Sequence, residues 1–269
     1  MFKLLLFIFI FFYSFVSFSD SEKNFERLYK DNSCTSCNFS GLDMSNRNFQ
    51  FSEISNSNFD NASLIKSSLQ SANILNSSFK GSSLIKAEFD AAKLDQSIFY
   101  EVRATAASFM GASLNSVKID KADFRGSFMQ VSNLSDSSVI NSNLKAVNLS
   151  GATIEKTIFK DSDLENANFK GANLEGVVFE GVNLKNANFI GSNLKGVVFK
   201  DTYIFGAEFI SSNLSNVNFN DIDFKGATFE EIIICGERIQ GSIKIASFLD
   251  RIIPDEDDNS DILKSLKCQ

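Results

Sequence analysis

A five-residue repeat of large apolar side chains runs through most of the chain. Taken in steps of five from Phe39 to Ile239, the 41 positions hold 17 Phe, 13 Leu, 7 Ile, 2 Met, Val139 and Ala104. No insertion breaks this frame, and no polar residue occupies it. A period of five matches neither the 3.6-residue turn of an α-helix nor the two-residue alternation of a flat strand. The pattern therefore predicts a repeat architecture in which each unit packs on its neighbours.

Two further positions of the unit follow the same frame. From Ile54 to Ile234, a small or β-branched residue lies two before each large one, as in Ala167, Ala172 and Val177. All 14 glycines, from Gly41 to Gly241, lie two after it. Asn takes that place at Asn46, Asn56, Asn61 and Asn76. Because Gly and Asn adopt positive φ more readily than other residues do, the unit has a defined backbone geometry with a left-handed residue.

The units Asn-Ala-Asn-Phe-Lys at 166–170 and Gly-Ala-Asn-Leu-Glu at 171–175 resemble the pentapeptide-repeat family, whose consensus is Ala-(Asp/Asn)-Leu-X-X. The resemblance covers residues 37–241. It implies an all-β fold, a right-handed quadrilateral parallel β-helix with four pentapeptides in each square coil. In that fold the large and small positions point inward and the remaining side chains face solvent.

A 20-residue period supports such coils independently. Residues 167–186 align with 187–206 position by position, and 207–226 continue the match more loosely. In a solenoid, like residues recur at the coil period because each coil packs only on its neighbours. We expect about ten coils and a rod roughly 48 Å long, from a strand spacing of ~4.8 Å. At Ala104 an alanine fills a large position, and we expect a bend or local irregularity over 102–108.

The segments outside the repeat predict an exported protein with capped ends. Residues 1–19 place Lys3 before an apolar run and small residues before Asp20, which is typical of a signal peptide cut after Ser19. An uncleaved membrane anchor is the alternative. Residues 20–36 form the predicted N-terminal cap, with Phe25, Leu28 and Tyr29 at helical spacing. Residues 242–269 form a predicted helical cap and acidic tail.

Four cysteines in an exported chain indicate disulfides. We expect a local Cys34–Cys37 bridge, and a Cys235–Cys268 bridge that fastens the tail to the last coil. Four cysteines allow three pairings, so the connectivity stays open. The alternative is that Cys34 and Cys37 form a redox-active pair, but the sequence around them lacks the βαβ pattern of thioredoxin-like proteins. A zinc site of all four thiolates would require the two ends of the rod to meet.

The outward positions indicate a mixed surface. Charges alternate between coils, as in Lys145, Glu165 and Lys185, and again in Lys160, Glu180 and Lys200. Apolar residues also occur at the outward position after the large one. They are Ile65, Leu75, Ile85, Met110, Ile140, Ile190, Phe205 and Ile210. We interpret Ile190, Phe205 and Ile210 as a candidate partner-binding patch.

The charge of the repeat argues against binding to nucleic acid and against mimicry of duplex DNA. Some cytoplasmic members of the pentapeptide-repeat family protect DNA gyrase with an acidic rod that resembles duplex DNA. Residues 39–229 carry 20 acidic and 17 basic side chains, a net charge of −3. A DNA-like rod of that length needs about 28 negative charges. There is also no basic patch for binding nucleic acid directly.

The absence of histidine excludes a Ser-His-Asp relay, a Cys-His relay and a histidine-ligated metal. β-Helix enzymes that act on glycans have insertions that form the sides of a substrate cleft, and this repeat has no such insertion. We therefore expect a non-enzymatic rod without cofactor or metal that acts as a protein-binding or scaffold module in the cell envelope, periplasmic or secreted. A secreted effector or target mimic is the alternative, and an enzyme is a third. The expected partner is an unidentified protein or a second copy, with no membrane span after signal cleavage.

Overall fold

The computed structural model describes residues 20–219 and 222–238. Helix α1 spans Asp20–Asp31 and is followed by a solenoid of parallel bridges that continues to the end of the described chain. A short antiparallel pair, β7 (Ile233–Ile234) and β8 (Glu237–Arg238), lies at the C-terminal end of these coils. The described residues therefore form a single parallel β-solenoid with one helix before it.

Pairing at a spacing of 20 residues defines the coil. Within the first coil, four successive bridging residues five positions apart each pair in parallel with the residue 20 later. These pairs are Ser33 with Glu53, Asn38 with Asn58, Asp43 with Ser63 and Asn48 with Ser68. Each coil consequently has four faces, one for each five-residue unit, as the 20-residue sequence period predicted. The same column of bridges that starts at Ser33 ends at Ile233.

Regular strands form on one of the four faces. They build a six-stranded parallel sheet in sequence order: β1 Ile98–Tyr100, β2 Lys118–Asp120, β3 Ser138–Ile140, β4 Ile158–Lys160, β5 Val178–Glu180 and β6 Val198–Lys200. The sheet spans five coil-to-coil steps, about half of the ten 20-residue steps that the bridges cover between Ser33 and Ile233. The other faces pair through one residue per unit, because a turn follows each large residue and interrupts the ladder.

The large apolar positions fill the interior. From Phe39 to Phe229 every described large position is buried except Phe224, which is partly buried. Phenylalanine rings stack on the ring one coil away at centroid distances near 5 Å. Three of these stacks are Phe59–Phe79–Phe99 (4.8 and 5.1 Å), Phe159–Phe179–Phe199 (5.2 and 5.3 Å) and Phe169–Phe189–Phe209 (4.9 and 4.9 Å). Burial of a large side chain contributes about 1.5–3 kcal/mol, so these columns supply the main stabilisation.

Serine is tolerated inside the tube because its hydroxyl takes part in the coil-to-coil bonding. The backbone N–H of Cys37 donates to Ser57 Oγ at 3.0 Å, that of Ser57 to Ser77 Oγ at 3.1 Å, and that of Ser77 to Ser97 Oγ at 3.1 Å. These contacts satisfy backbone donors that would otherwise be buried without a partner. The small position thus holds Ser as well as Ala.

The region around Ala104 is regular, so the expected bend was wrong. Ala104 is fully buried, and its N–H donates to the Asp123 carbonyl at 2.7 Å in the ordinary coil register. Phe124 lies one coil later at the same position. Its ring contacts Phe99 and Phe109, which precede and follow Ala104 in the frame, at 6.1 and 5.8 Å between centroids. The larger ring of Phe124 therefore fills the space that the small alanine side chain leaves.

The turn geometry agrees with the glycine pattern. The described glycines have φ between 61° and 84°, and Asn46, Asn56, Asn61 and Asn76 have φ between 53° and 59°. Residues other than Gly and Asn also adopt this conformation, among them Phe51 (φ 59°) and Val131 (φ 58°). The left-handed conformation is thus a property of the fold at this position, and the residue preference follows from it.

Helix α1 covers the first coil with part of its apolar face. Leu28 is buried, and the Phe25 ring meets Phe49 edge-on at 6.1 Å. Tyr29, which shares their helical spacing, is 65% exposed instead. No helix among residues 20–219 and 222–238 is long and apolar enough to cross a membrane. The predicted signal segment 1–19 and the predicted cap and tail 242–269 lie outside the described residues.

Candidate interaction surface

Cys34 and Cys37 form a disulfide inside the first coil, with 5.7 Å between their Cα atoms. Cys34 occupies a large position of the frame and Cys37 a small one, and both are buried. Burial of both sulfurs favours a structural bond over redox exchange, which needs an accessible sulfur. Cys268 lies outside the described residues, so the Cys235–Cys268 bridge stays a prediction. The described part of the chain contains no group of three or more acidic or cysteine side chains that could hold a metal ion.

Charged side chains form two ladders along the solenoid, one at a corner and one at the ends of strands β4, β5 and β6. On one corner Glu165 lies between Lys145 and Lys185, with Nζ–Oε distances of 3.0 and 3.2 Å. On the sheet face, Glu180 lies between Lys160 and Lys200 of the neighbouring strands, at 3.2 and 3.1 Å. The alternation in the sequence therefore places opposite charges in contact.

The ion pairs of these ladders lower the pKa values of the carboxyl groups and raise that of a lysine, so both partners stay charged. Hydrogen bonds from Lys145 and then Lys185 hold the pKa of Glu165 below its ordinary value. Hydrogen bonds from Lys200 and then Lys160 do the same for the pKa of Glu180. In turn, the hydrogen bonds to Glu165 and Asp163 raise the pKa of Lys145. These groups neutralise one another, which is the opposite of an acid and a base held at different ionisation states for catalysis.

The predicted patch is divided by a polar face. Phe205 is 39% exposed on one corner of its coil, whereas Ile190 and Ile210 are half-buried on the next corner. Exposed Glu208 lies on the face between these corners. The 20-residue spacing does bring Ile190 and Ile210 into adjacent coils, where the Gly191 N–H donates to the Ile210 carbonyl at 2.8 Å. The structure thus places Phe205 on a different corner from Ile190 and Ile210, so the three side chains do not form one continuous apolar patch.

Phe205 instead pairs with Tyr203, a residue that the sequence analysis missed. The two rings are stacked with centroids 6.3 Å apart and an interplanar angle of 8°, and Tyr203 is 50% exposed. A Cβ added to Gly226, one coil later, would lie only 2.8 Å from the Phe205 ring. The glycine thus leaves room for the ring to lie against the next coil. Tyr203 occupies the outward position directly before a large residue, and that position holds mostly Asn, Asp or Ser. The sequence analysis searched for apolar residues only at the position directly after each large residue, so it did not find this pair.

A second apolar surface lies on the sheet face. Ile158, Val178 and Val198 are aligned in adjacent strands β4, β5 and β6. Ile158 is 44% exposed, and the two valines are half-buried. This column was also missed, although β-branched residues at that outward position, 20 apart, are visible in the sequence. Two flat faces therefore present apolar side chains to solvent.

The arrangement offers surfaces for contact rather than an enclosed site. A concavity of about 460 Å³ that opens to solvent lies along one corner, lined by Glu155, Glu175, Lys195 and two glycines. Lys195 Nζ is 2.8 Å from Glu175 Oε1. Glu175 and Lys195 therefore neutralise each other along this corner.

Comparison with known proteins supports the architecture. The family model for pentapeptide repeats matches in eight copies over residues 132–166, 162–201 and 204–235. A second model, for a pentapeptide repeat region, matches residues 52–129. A comparison with curated protein sequences finds no match.

Comparison with solved structures finds matches at low sequence identity. HetL, a pentapeptide repeat protein involved in heterocyst differentiation regulation from the cyanobacterium Nostoc sp., is 18% identical, with a TM-score of 0.61 over 77% of this chain and 89% of that chain. QnrB1, a plasmid-mediated fluoroquinolone resistance protein, is 19% identical, with a TM-score of 0.39 over 82% and 99%. A thylakoid lumen protein of Arabidopsis thaliana is 17% identical, with a TM-score of 0.26 over 45% and 64%.

The five-residue frame, the 20-residue bridges and the family models agree on one assignment. The models together match most of the solenoid, and the HetL structure shares its fold. The chain belongs to the pentapeptide-repeat family.

Proposed function

We propose that this chain is an exported, non-enzymatic module that binds protein partners in the cell envelope. The observation that carries the proposal is the exposure of aligned apolar side chains on flat faces of a stiff rod. The stacked Tyr203–Phe205 pair lies on one face and the Ile158 column on another. Large apolar side chains that stay exposed in a regular array are typical of surfaces that bind another protein.

Two features support a place outside the cytoplasm. Residues 1–19 have the charge and apolar pattern of a signal peptide. The Cys34–Cys37 disulfide fits an oxidising compartment, where such bonds persist.

The absence of catalysis is supported by where the polar groups lie. The interior holds packed apolar columns, with serines whose hydroxyls bond to the backbone. The outward carboxylates Glu165, Glu175 and Glu180 are each paired with lysine. A catalytic site requires polar groups that converge on one point in a concave, water-excluding site, and these groups pair along the rod instead.

A photo-crosslinking experiment in intact cells tests this proposal. A photoreactive residue replaces Tyr203 in the full chain, and the cells are irradiated and fractionated. We expect a covalent protein adduct in the envelope fraction, with a mature chain that begins at Asp20. Adding Phe205→Ser should remove the adduct, because this change deletes apolar contact area beside the crosslinker.

The matched control is Phe51→Ser, which changes a phenylalanine that is 70% exposed in an early coil. This variant should keep the adduct. A chain that stays in the cytosol with Met1 would contradict export, and an adduct equally strong in all variants would contradict the binding surface.

A further inference from the structure

We infer that a groove on the sheet face binds an acidic protein segment that carries an apolar anchor side chain. This inference rests on the proposed protein-binding function and names the chemistry of a partner. The groove lies over strands β1, β2 and β3, remote in sequence from the Tyr203–Phe205 pair, and has a volume of about 510 Å³.

The floor of the groove is apolar. It contains Ile98, Tyr100 and Ile140, each half-buried, so that one side of every side chain faces the opening. Ile98 and Tyr100 lie on the same strand, and the register places Ile140 two strands away, beside Asp120 of β2. An aliphatic or aromatic side chain that fills this floor would remove these exposed surfaces from water.

Tyr100 is held in position for such a contact. Lys121 Nζ donates to Tyr100 Oη at 3.2 Å, and the same ammonium lies 5.3 Å from the centre of the ring. This contact fixes the ring and satisfies its hydroxyl, which leaves the ring available for packing. A preorganised anchor site reduces the entropy lost on binding.

The rim of the groove carries two lysines without a partner carboxylate. Lys80 and Lys118 are exposed and take part in no ion pair among residues 20–219 and 222–238, in contrast to the ladder lysines such as Lys145. The acidic group of the lining, Asp120, accepts a hydrogen bond from Asn141 Nδ2 at 3.2 Å. The lining therefore has a formal charge of +1 in a chain with a net charge of −7. This local positive charge selects an acidic ligand by complementarity.

The shape of the groove favours a protein segment over a small molecule. The groove opens broadly to solvent, whereas small-molecule sites bury about 70–90% of the ligand surface. From Lys80 to Ile140 the groove spans three coil-to-coil steps, roughly 14 Å at ~4.8 Å per step, which matches about four residues of an extended chain. An extended segment with one apolar side chain between acidic neighbours fits both floor and rim.

Fluorescence anisotropy with a labelled nonapeptide tests the inference. The probe has a central Phe and Leu flanked by Asp and Glu, and the protein is the full mature chain. We expect saturable binding that weakens about tenfold in the Lys80→Glu, Lys118→Glu variant, since two ion pairs become repulsive contacts. A probe with Ser in place of Phe and Leu should weaken by a similar factor, because the apolar floor loses its occupant.

The control variant Lys93→Glu, Lys170→Glu makes the same change in net charge at exposed lysines away from the groove, and should bind within about twofold of the parent. Absence of probe binding, or equal binding by the two charge-reversed variants, would overturn the inference. Circular dichroism of both variants checks that the solenoid is intact.

Further outcomes show whether the chain's own tail occupies the groove, and which of the two proposed surfaces has failed. Tighter probe binding after the acidic residues 255–258 are changed to their amides would mean that the chain's own tail fills the groove, which would overturn the assignment to a separate protein. Loss of probe binding with a retained Tyr203 adduct would reject the groove alone. Loss of the adduct with retained probe binding would instead reject the Tyr203–Phe205 surface.

Discussion

Replacing Phe179 with Ala is expected to lower the free energy of unfolding by about 3–5 kcal/mol, because the side chain is fully buried between neighbours that cannot collapse. Its ring stacks on Phe159 and Phe199 at 5.2 and 5.3 Å. It also meets Phe169 and Phe189 edge-on at 6.2 and 6.3 Å. Each aromatic pair adds about 0.5–1.5 kcal/mol beyond the area that it buries.

Urea denaturation followed by far-ultraviolet circular dichroism measures this loss. The control is Phe51→Ala, which removes a phenylalanine side chain that is mostly exposed, and it should change the unfolding free energy by no more than about 0.5 kcal/mol. Similar losses for the two variants would contradict a core built from stacked rings.

The second large effect is a coupling between Ala104 and Phe124. Phe124→Leu alone should destabilise the protein by about 1–3 kcal/mol, because the shorter side chain no longer fills the space beside Ala104. Ala104→Leu alone should also cost about 1–3 kcal/mol, because it crowds the Phe124 ring. Together they recreate the leucine pair typical of this column, as at Leu144 and Leu164, and should recover the parent stability to within about 1 kcal/mol.

A double-mutant cycle of unfolding free energies measures the coupling. The control combines Ala104→Leu with Phe169→Leu, a buried phenylalanine several coils away, where the two losses should add within about 0.5 kcal/mol. Additive losses for the Ala104–Phe124 pair would mean that Phe124 does not fill the space beside Ala104.

The interior could be predicted from sequence because it depends on one position of the unit. The frame from Phe39 to Ile239 identified the buried columns, and glycine identified the left-handed turn residue. The bend expected at Ala104 was wrong for a physical reason. The five-residue frame shows which residue occupies each position. It does not show that the ring of Phe124, in the following coil, fills the space beside Ala104.

The surface was less predictable because it depends on where side chains lie relative to the coil corners. Phe205 and Ile210 share a phase of the repeat, yet Glu208 separates them on the intervening face. Tyr203 was missed because its position is usually polar, and its stacking on Phe205 requires coordinates. The groove was missed for the same reason, since Lys80, Ile98 and Ile140 are brought together by stacking rather than by sequence proximity.

Engineered disulfide formation tests the 20-residue coil most directly. In the structure Asn168 Nδ2 lies 3.3 Å from Asn148 Oδ1, and the two residues form a parallel bridge. Asn148→Cys with Asn168→Cys should therefore crosslink under mild oxidation, whereas Asn148→Cys with Asp163→Cys, which lie on different faces, should not. In a continuous helix the first pair would be about 30 Å apart. Peptide mapping that finds no bond between positions 148 and 168, or equal bonding in the second pair, would contradict the solenoid.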